Sequence, residues 1–170
     1  MNRLCRFLLV SITFSSIFPG GIRAGGLTEE TVASVAGFER GILCVAGAGH
    51  KDTSFLISLA NSSAYTIFVQ AVNREVATEI RTLATSHDLL GRRLFVSVIT
   101  GDVINLADKV ADGLLVVNEV DIPDQECLRV LRPGGIALKG GRKLTAPVPD
   151  GYDDWSHPFH RADNNPQSQD

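Results

Sequence analysis

The segment of this sequence best equipped for chemistry is Val45-Ala46-Gly47-Ala48-Gly49-His50. It closes the apolar run Gly41-Ile42-Leu43-Cys44, and glycines in that position let the chain turn sharply and bring backbone N–H groups up to a ligand. The same pattern also serves as a plain strand-to-helix turn. A dinucleotide fingerprint would add a third glycine three residues on, where Asp52 stands instead. His50 reads as a surface residue at the start of the following helix. A second cluster lies near the end of the chain, where His157 and His160 accompany Asp153, Asp154 and Asp163. Pro158 between the two histidines breaks the helix that would set both rings on one side, so no metal site is expected. Trp155 and Phe159 there read as docking or linker residues. Ser54, Ser62 and Ser63 lack a Gly-x-Ser-x-Gly elbow, which argues against a hydrolase. Arg92-Arg93 and Arg142-Lys143 read as solvated loops.

The elements that would position the glycine turn alternate between two hydrophobic periods. Leu27 to Ala36 fits a short helix with Thr28 as its N-cap and Gly37 as its stop. Strands are expected at Gly41–Ala46, Tyr65–Val72, Leu94–Ile99, Gly113–Val117 and Ile136–Lys139. Between them, helical spacing marks His50–Ala60, Arg74–His87, Leu106–Val110 and Ile122–Leu131, the last with Pro123 in its first turn. Pro133-Gly134-Gly135 is expected to stop that helix. Such alternation implies βαβ units and an α/β fold, a Rossmann-like three-layer sandwich with a mostly parallel sheet of about five strands. Ligands bind such sheets at the carboxyl ends of the strands, which is where the glycine turn falls.

Composition narrows the classes. The 170 residues are 44% hydrophobic and 21% charged with a formal charge of −3, so the basic footprint of a nucleic-acid binder is missing. Three cysteines make no disulfide scaffold; Cys44 and Cys127 read as buried thiols, although a bridge between them is conceivable in an oxidising compartment. Arg3 and Arg6, the apolar run Phe7–Phe18, Pro19-Gly20-Gly21 and the small residue Ala24 together form a secretory signal, too short for a spanning helix. The expected organisation is a signal peptide at 1–24, a Rossmann domain at 25–140, and a linker and polar tail at 141–170. Export to the periplasm or the extracellular space follows from the first of these.

Three motifs carry a family resemblance. Gly47-Ala48-Gly49 after the first strand, Gly101-Asp102 after the third, and Leu128-Arg129-Val130-Leu131-Arg132-Pro133-Gly134-Gly135 before the fifth resemble class I S-adenosylmethionine-dependent methyltransferases over Glu39 to Lys139. The resemblance implies S-adenosylmethionine as cofactor, with Gly47 and Gly49 facing its methionine part and Asp102 beside the adenine. Asn73 falls where the family usually carries an acidic residue that grips the ribose, and Glu75 is a possible substitute. An amide lacks the charge-assisted strength of a carboxylate. Cys44-Val45-Ala46 also replaces the acidic residue that often heads the glycine motif. The family usually adds two strands after the fifth, one of them antiparallel, and nothing after Leu138 reads as strand–helix–strand.

The tail from Gly151 to Pro166 resembles the junction found in large secreted bacterial proteins of planctomycete type, where a methyltransferase-like domain precedes a PQQ-like β-propeller. That implies a β-propeller domain or protein as partner. The resulting expectation is a truncated, degenerate methyltransferase-like domain of an exported protein, acting as a structural or interaction module. The alternative is an active methyltransferase that works by positioning its substrates, with no catalytic base assignable.

Overall fold

The computed structural model describes residues 27–37, 39–118, 120–150 and 152. The expected signal peptide at 1–24 and the His157–His160 cluster lie outside them. The chain runs α1 (Glu29–Val35), β1 (Arg40–Ala48), a 3-10 turn (His50–Asp52), α2 (Thr53–Ser62), β2 (Ala64–Ala71) and α3 (Arg74–Ser86). It continues through β3 (Leu94–Val98), β4 (Ala111–Val116), α4 (Asp124–Val130), β5 (Leu131–Lys139) and β6 (Arg142–Thr145).

Local chemistry explains where the elements begin. Thr28 caps α1: its hydroxyl accepts from the Thr31 N–H at 3.2 Å while Thr31 returns the bond to the Thr28 N–H at 2.9 Å. Glu29 and Glu30 then face the positive end of the helix dipole. Asn73 caps α3 through its side-chain oxygen, which accepts the Val76 N–H, and Val76, Ala77, Ile80 and Ala84 recur at helical spacing on the buried face of that helix. In β1, residues 43–48 are all buried, as expected for a strand covered on both faces.

The six strands form one sheet in the order β3-β2-β1-β4-β5-β6. The first five are parallel, and β6 pairs antiparallel with β5. Alternation sends Leu43 and Val45 to one face, where they join Ile67, Val69, Leu115 and side chains of α1, α2 and α3. Cys44 and Ala46 point to the other face, against Leu114, Ala137, Cys127 and Val130 of α4, and Ile104. The architecture is therefore an α/β three-layer sandwich of Rossmann type.

Three expectations need correction. Leu106–Val110 is not helical but a series of bends, with Lys109 at φ +57°. The Arg129 guanidinium accounts for this, because it donates to the Leu106 carbonyl, which a helix would pair with the Val110 N–H, and to that of Ile104 just before it. Lys109 and Val110 N–H groups instead bond the carbonyls of Arg129 and Val130. Secondly, β5 starts at Leu131, and Pro133-Gly134-Gly135 lies within it as an irregularity: Ala111 pairs with Leu131, yet Gly113 pairs with Ile136. Thirdly, the expected linker from residue 141 opens as a strand. Residues 142–145 close a hairpin on β5, and Ala146 extends it through bonds to Gly134 and Gly135 at 3.1 and 2.9 Å.

Candidate functional site

Strand order reverses between β1 and β4, so the crevice at their carboxyl ends is where a fold of this type takes a ligand. The glycine turn lies there. Val117 N–H bonds the Ala46 carbonyl and Val72 N–H bonds that of Ala48, which holds the ends of β4 and β2 against the end of β1. Gly47 has φ +88°, and a β-carbon on it would collide with the Val117 carbonyl and lie 2.8 Å from a methyl of Val120. Only glycine fits between β1 and the chain leaving β4.

Two side chains close this turn. The Asn118 amide nitrogen donates to the Gly47 carbonyl at 2.7 Å and to the Asp52 carboxylate at 2.8 Å. The same Asp52 oxygen accepts the Gly49 N–H at 2.8 Å. Asp52 is 2% exposed, so this is an interior polar network rather than a surface contact. Asn118 adopts φ +57°, a left-handed conformation that asparagine tolerates better than most residues. Asp52 is noted in the sequence only as the residue at the third-glycine position, and Asn118 not at all. An asparagine directly after a buried strand was the signal available.

The remaining expected site residues are dispersed along the same edge. Asn73 follows the end of β2, and its side-chain oxygen accepts the Val76 N–H at 2.9 Å as the cap of α3. The strand itself ends on buried Ala71, with no carboxylate there. Glu75 is exposed in the first turn of α3. Asp102 is exposed in the turn after β3 and borders a cleft of about 240 Å³ with Pro123, Glu126 and Arg129. His50 Nδ1 meets Glu79 Oε2 at 2.5 Å, and that contact holds the Glu79 carboxyl below its ordinary value.

The charges lining the cleft are mutually engaged. Arg129 donates Nε and one terminal nitrogen to Glu126 at 2.8 and 2.7 Å, and its other bonds go to Asp108 and to the Ile104 and Leu106 carbonyls. All five guanidinium donors are thereby used inside the chain. Arg129 lowers the Glu126 carboxyl pKa, and Ile104 N–H adds a bond to it at 2.8 Å. Asp102 is the one acid on this cleft without such a partner among the described residues. No group of three His, Cys, Asp or Glu suited to a metal occurs among the described residues, and no helix there is long and apolar enough to cross a membrane.

With fold and site in view, the comparisons with known proteins agree on architecture. No protein-family model and no curated protein matches the chain. Solved structures do. The cyclase SpnF superposes with a TM-score of 0.54 at 22% identity, over 64% of this chain and 41% of that one. A SAM-dependent methyltransferase from Aquifex aeolicus gives 0.52 at 17% identity, over 64% and 60% of the two chains. Geranyl diphosphate C-methyltransferase from Streptomyces coelicolor, in complex with S-adenosyl-L-homocysteine, gives 0.52 at 14% identity, over 64% and 42%. The chain thus spans between two fifths and three fifths of the length of these structures. It has the Rossmann-like fold of class I S-adenosylmethionine-dependent methyltransferases. A cyclase among the similar structures shows that this fold does not fix a reaction.

Proposed function

We propose that this chain is a methyltransferase-like module that serves as a structural or interaction domain rather than as a catalyst. One observation carries the reading: the Asp52–Asn118 network engages the Gly49 N–H, the kind of group a glycine turn would offer a ligand, and ties down the Gly47 carbonyl beside it. Val120 packs on the same turn, and Asn73 is engaged as a helix cap where a ribose would call for a carboxylate. So arranged, these residues do not fit S-adenosylmethionine. Departures from the family motif at Cys44-Val45-Ala46 support the same view. So does the signal-like N-terminus, since S-adenosylmethionine is a cytosolic metabolite and an exported domain would lack it. We place the protein in the periplasm or outside the cell, with a PQQ-like β-propeller as the partner to which its tail leads.

The alternative of an active methyltransferase draws on Asp102, which stands unengaged beside an open cleft as an adenine-binding acid would. Calorimetry of the full chain with S-adenosylhomocysteine separates the two. The module reading expects no heat of binding at millimolar ligand. Micromolar binding that Asp102→Ala abolishes while its circular dichroism stays that of the wild type would establish the cofactor site and overturn it.

A further inference from the structure

At the opposite end of the sheet from the glycine turn, where β4 and β5 begin, lies a second cleft of about 380 Å³. Its walls include Leu128 of α4, Leu131 and Pro133 of β5, and Pro147 and Pro149 of the chain leaving β6. That volume falls within the roughly 300–1,000 Å³ over which proteins bury a guest of appreciable size. The walls are apolar for the most part, and the Lys109 ammonium stands among them with no hydrogen-bond or ion-pair partner among the described residues.

The path of the chain delivers one candidate occupant. Ala146 is clipped to Gly134 and Gly135, and Pro147 and Pro149 then run along the cleft. Tyr152 N–H bonds the Pro149 carbonyl at 3.1 Å, which turns the chain back and leaves Tyr152 54% exposed. The next residues are Asp153-Asp154-Trp155-Ser156-His157-Pro158-Phe159-His160. Trp155 is three residues past that turn, within about 10 Å of extended chain. It is the sole tryptophan of the protein, and two carboxylates precede it, opposite in charge to Lys109, whose ammonium has no partner among the described residues.

We propose that the segment 153–160 folds back along its own domain and seats Trp155 in this cleft, with Asp153 and Asp154 toward Lys109. Burying an indole against Leu128, Leu131 and the prolines supplies the apolar term, and the acids fix the direction in which the segment lies. The seat is independent of whether the glycine turn binds a cofactor.

The single tryptophan makes the test direct. In the full chain, Trp155 emission should be blue-shifted and several-fold better protected from acrylamide than in a peptide of residues 150–166. Pro147→Asp and Lys109→Glu alter exposed positions of the cleft, so each should abolish that shift and protection while circular dichroism stays unchanged. Emission equal to that of the peptide would overturn the proposal. An unmoved blue shift in both variants would place the indole elsewhere and overturn it as well. A blue shift lost on dilution would assign the cleft to a second copy of the chain, against the intrachain seat.

Discussion

The Asp52 carboxylate and the Asn118 amide meet 2.8 Å apart across the mouth of the glycine turn, joining the start of α2 to the end of β4 over 66 residues of sequence. This contact makes the turn an interior junction. Asn118→Gly should remove both amide bonds without straining the backbone, because glycine accepts the φ of +57° found there. Losing one bond to the buried Asp52 carboxylate and one to the Gly47 carbonyl should cost about 1–3 kcal/mol. Asn118→Ala should cost more by roughly 1 kcal/mol, the penalty for a β-carbon in the left-handed region. Urea unfolding of the three proteins checks the order, and equal stability for both variants would contradict it.

Two glycines that both adopt positive φ should respond differently to alanine. Gly47 at φ +88° has Val117 and Val120 against it, whereas Gly101 at φ +65° has nothing within 4 Å of an added β-carbon. Gly101→Ala should therefore cost only the conformational term of roughly 1–2 kcal/mol. Gly47→Ala must also push β1 from the chain leaving β4, and several kcal/mol are expected, on the order of an overpacked core position with strain added. Thermal unfolding should show a modest shift for the first and a loss of cooperative folding for the second.

Much of this architecture was legible in the sequence because its signals are local. Thr28 before two glutamates, the unbroken apolar run of β1, and the apolar face of α3 each follow from the residues themselves. The misses arise where a distant group decides. Leu106–Val110 has helical spacing, but Arg129, about twenty residues later, engages the carbonyls. Strand β6 reads Arg-Lys-Leu-Thr, a polar edge strand too short to show a period, and it exists because β5 offers a free edge. At the candidate site the glycine turn was visible from its place after the first strand, whereas Asp102 entered only through the family resemblance. The closing pair was not, since Asp52 and Asn118 become neighbours only once β1 and β4 pair. Asn73 illustrates a limit of position alone, because its side chain serves the helix that follows it.

Acid should weaken the fold partly through Glu126. Hydrogen bonding to Arg129 lowers its carboxyl pKa from the usual 4.5, with burial opposing. A depressed folded-state pKa means the unfolded chain takes the proton first as pH falls. The stabilisation is thus complete above about 4.5, declines below it, and is lost once the folded carboxyl also protonates. Glu126→Gln should be less stable than the wild type at neutral pH, and the gap should narrow as pH drops below that value. A gap in urea midpoint that stays constant with pH would show that the charge on Glu126 contributes nothing.

The two cysteines of the described chain should be silent in the folded protein. Cys44 on β1 and Cys127 on α4 are both free, fully buried and part of one apolar cluster between the sheet and α4. Burial pushes the Cys127 thiol up to about 11 and raises Cys44 as well, with the neighbouring Cys127 adding to the effect. The thiolate is the reactive form, so at neutral pH each site combines a very small reactive fraction with an inaccessible sulfur. Iodoacetamide followed by peptide mapping should find both sites unmodified in native buffer and fully modified in urea. The rate under native conditions should follow the opening of the core, falling as the fold is stabilised and rising in Asn118→Ala. Prompt native labelling of Cys127 would mean that α4 leaves the sheet far more readily than its buried contacts with Ile104 and Leu131 imply.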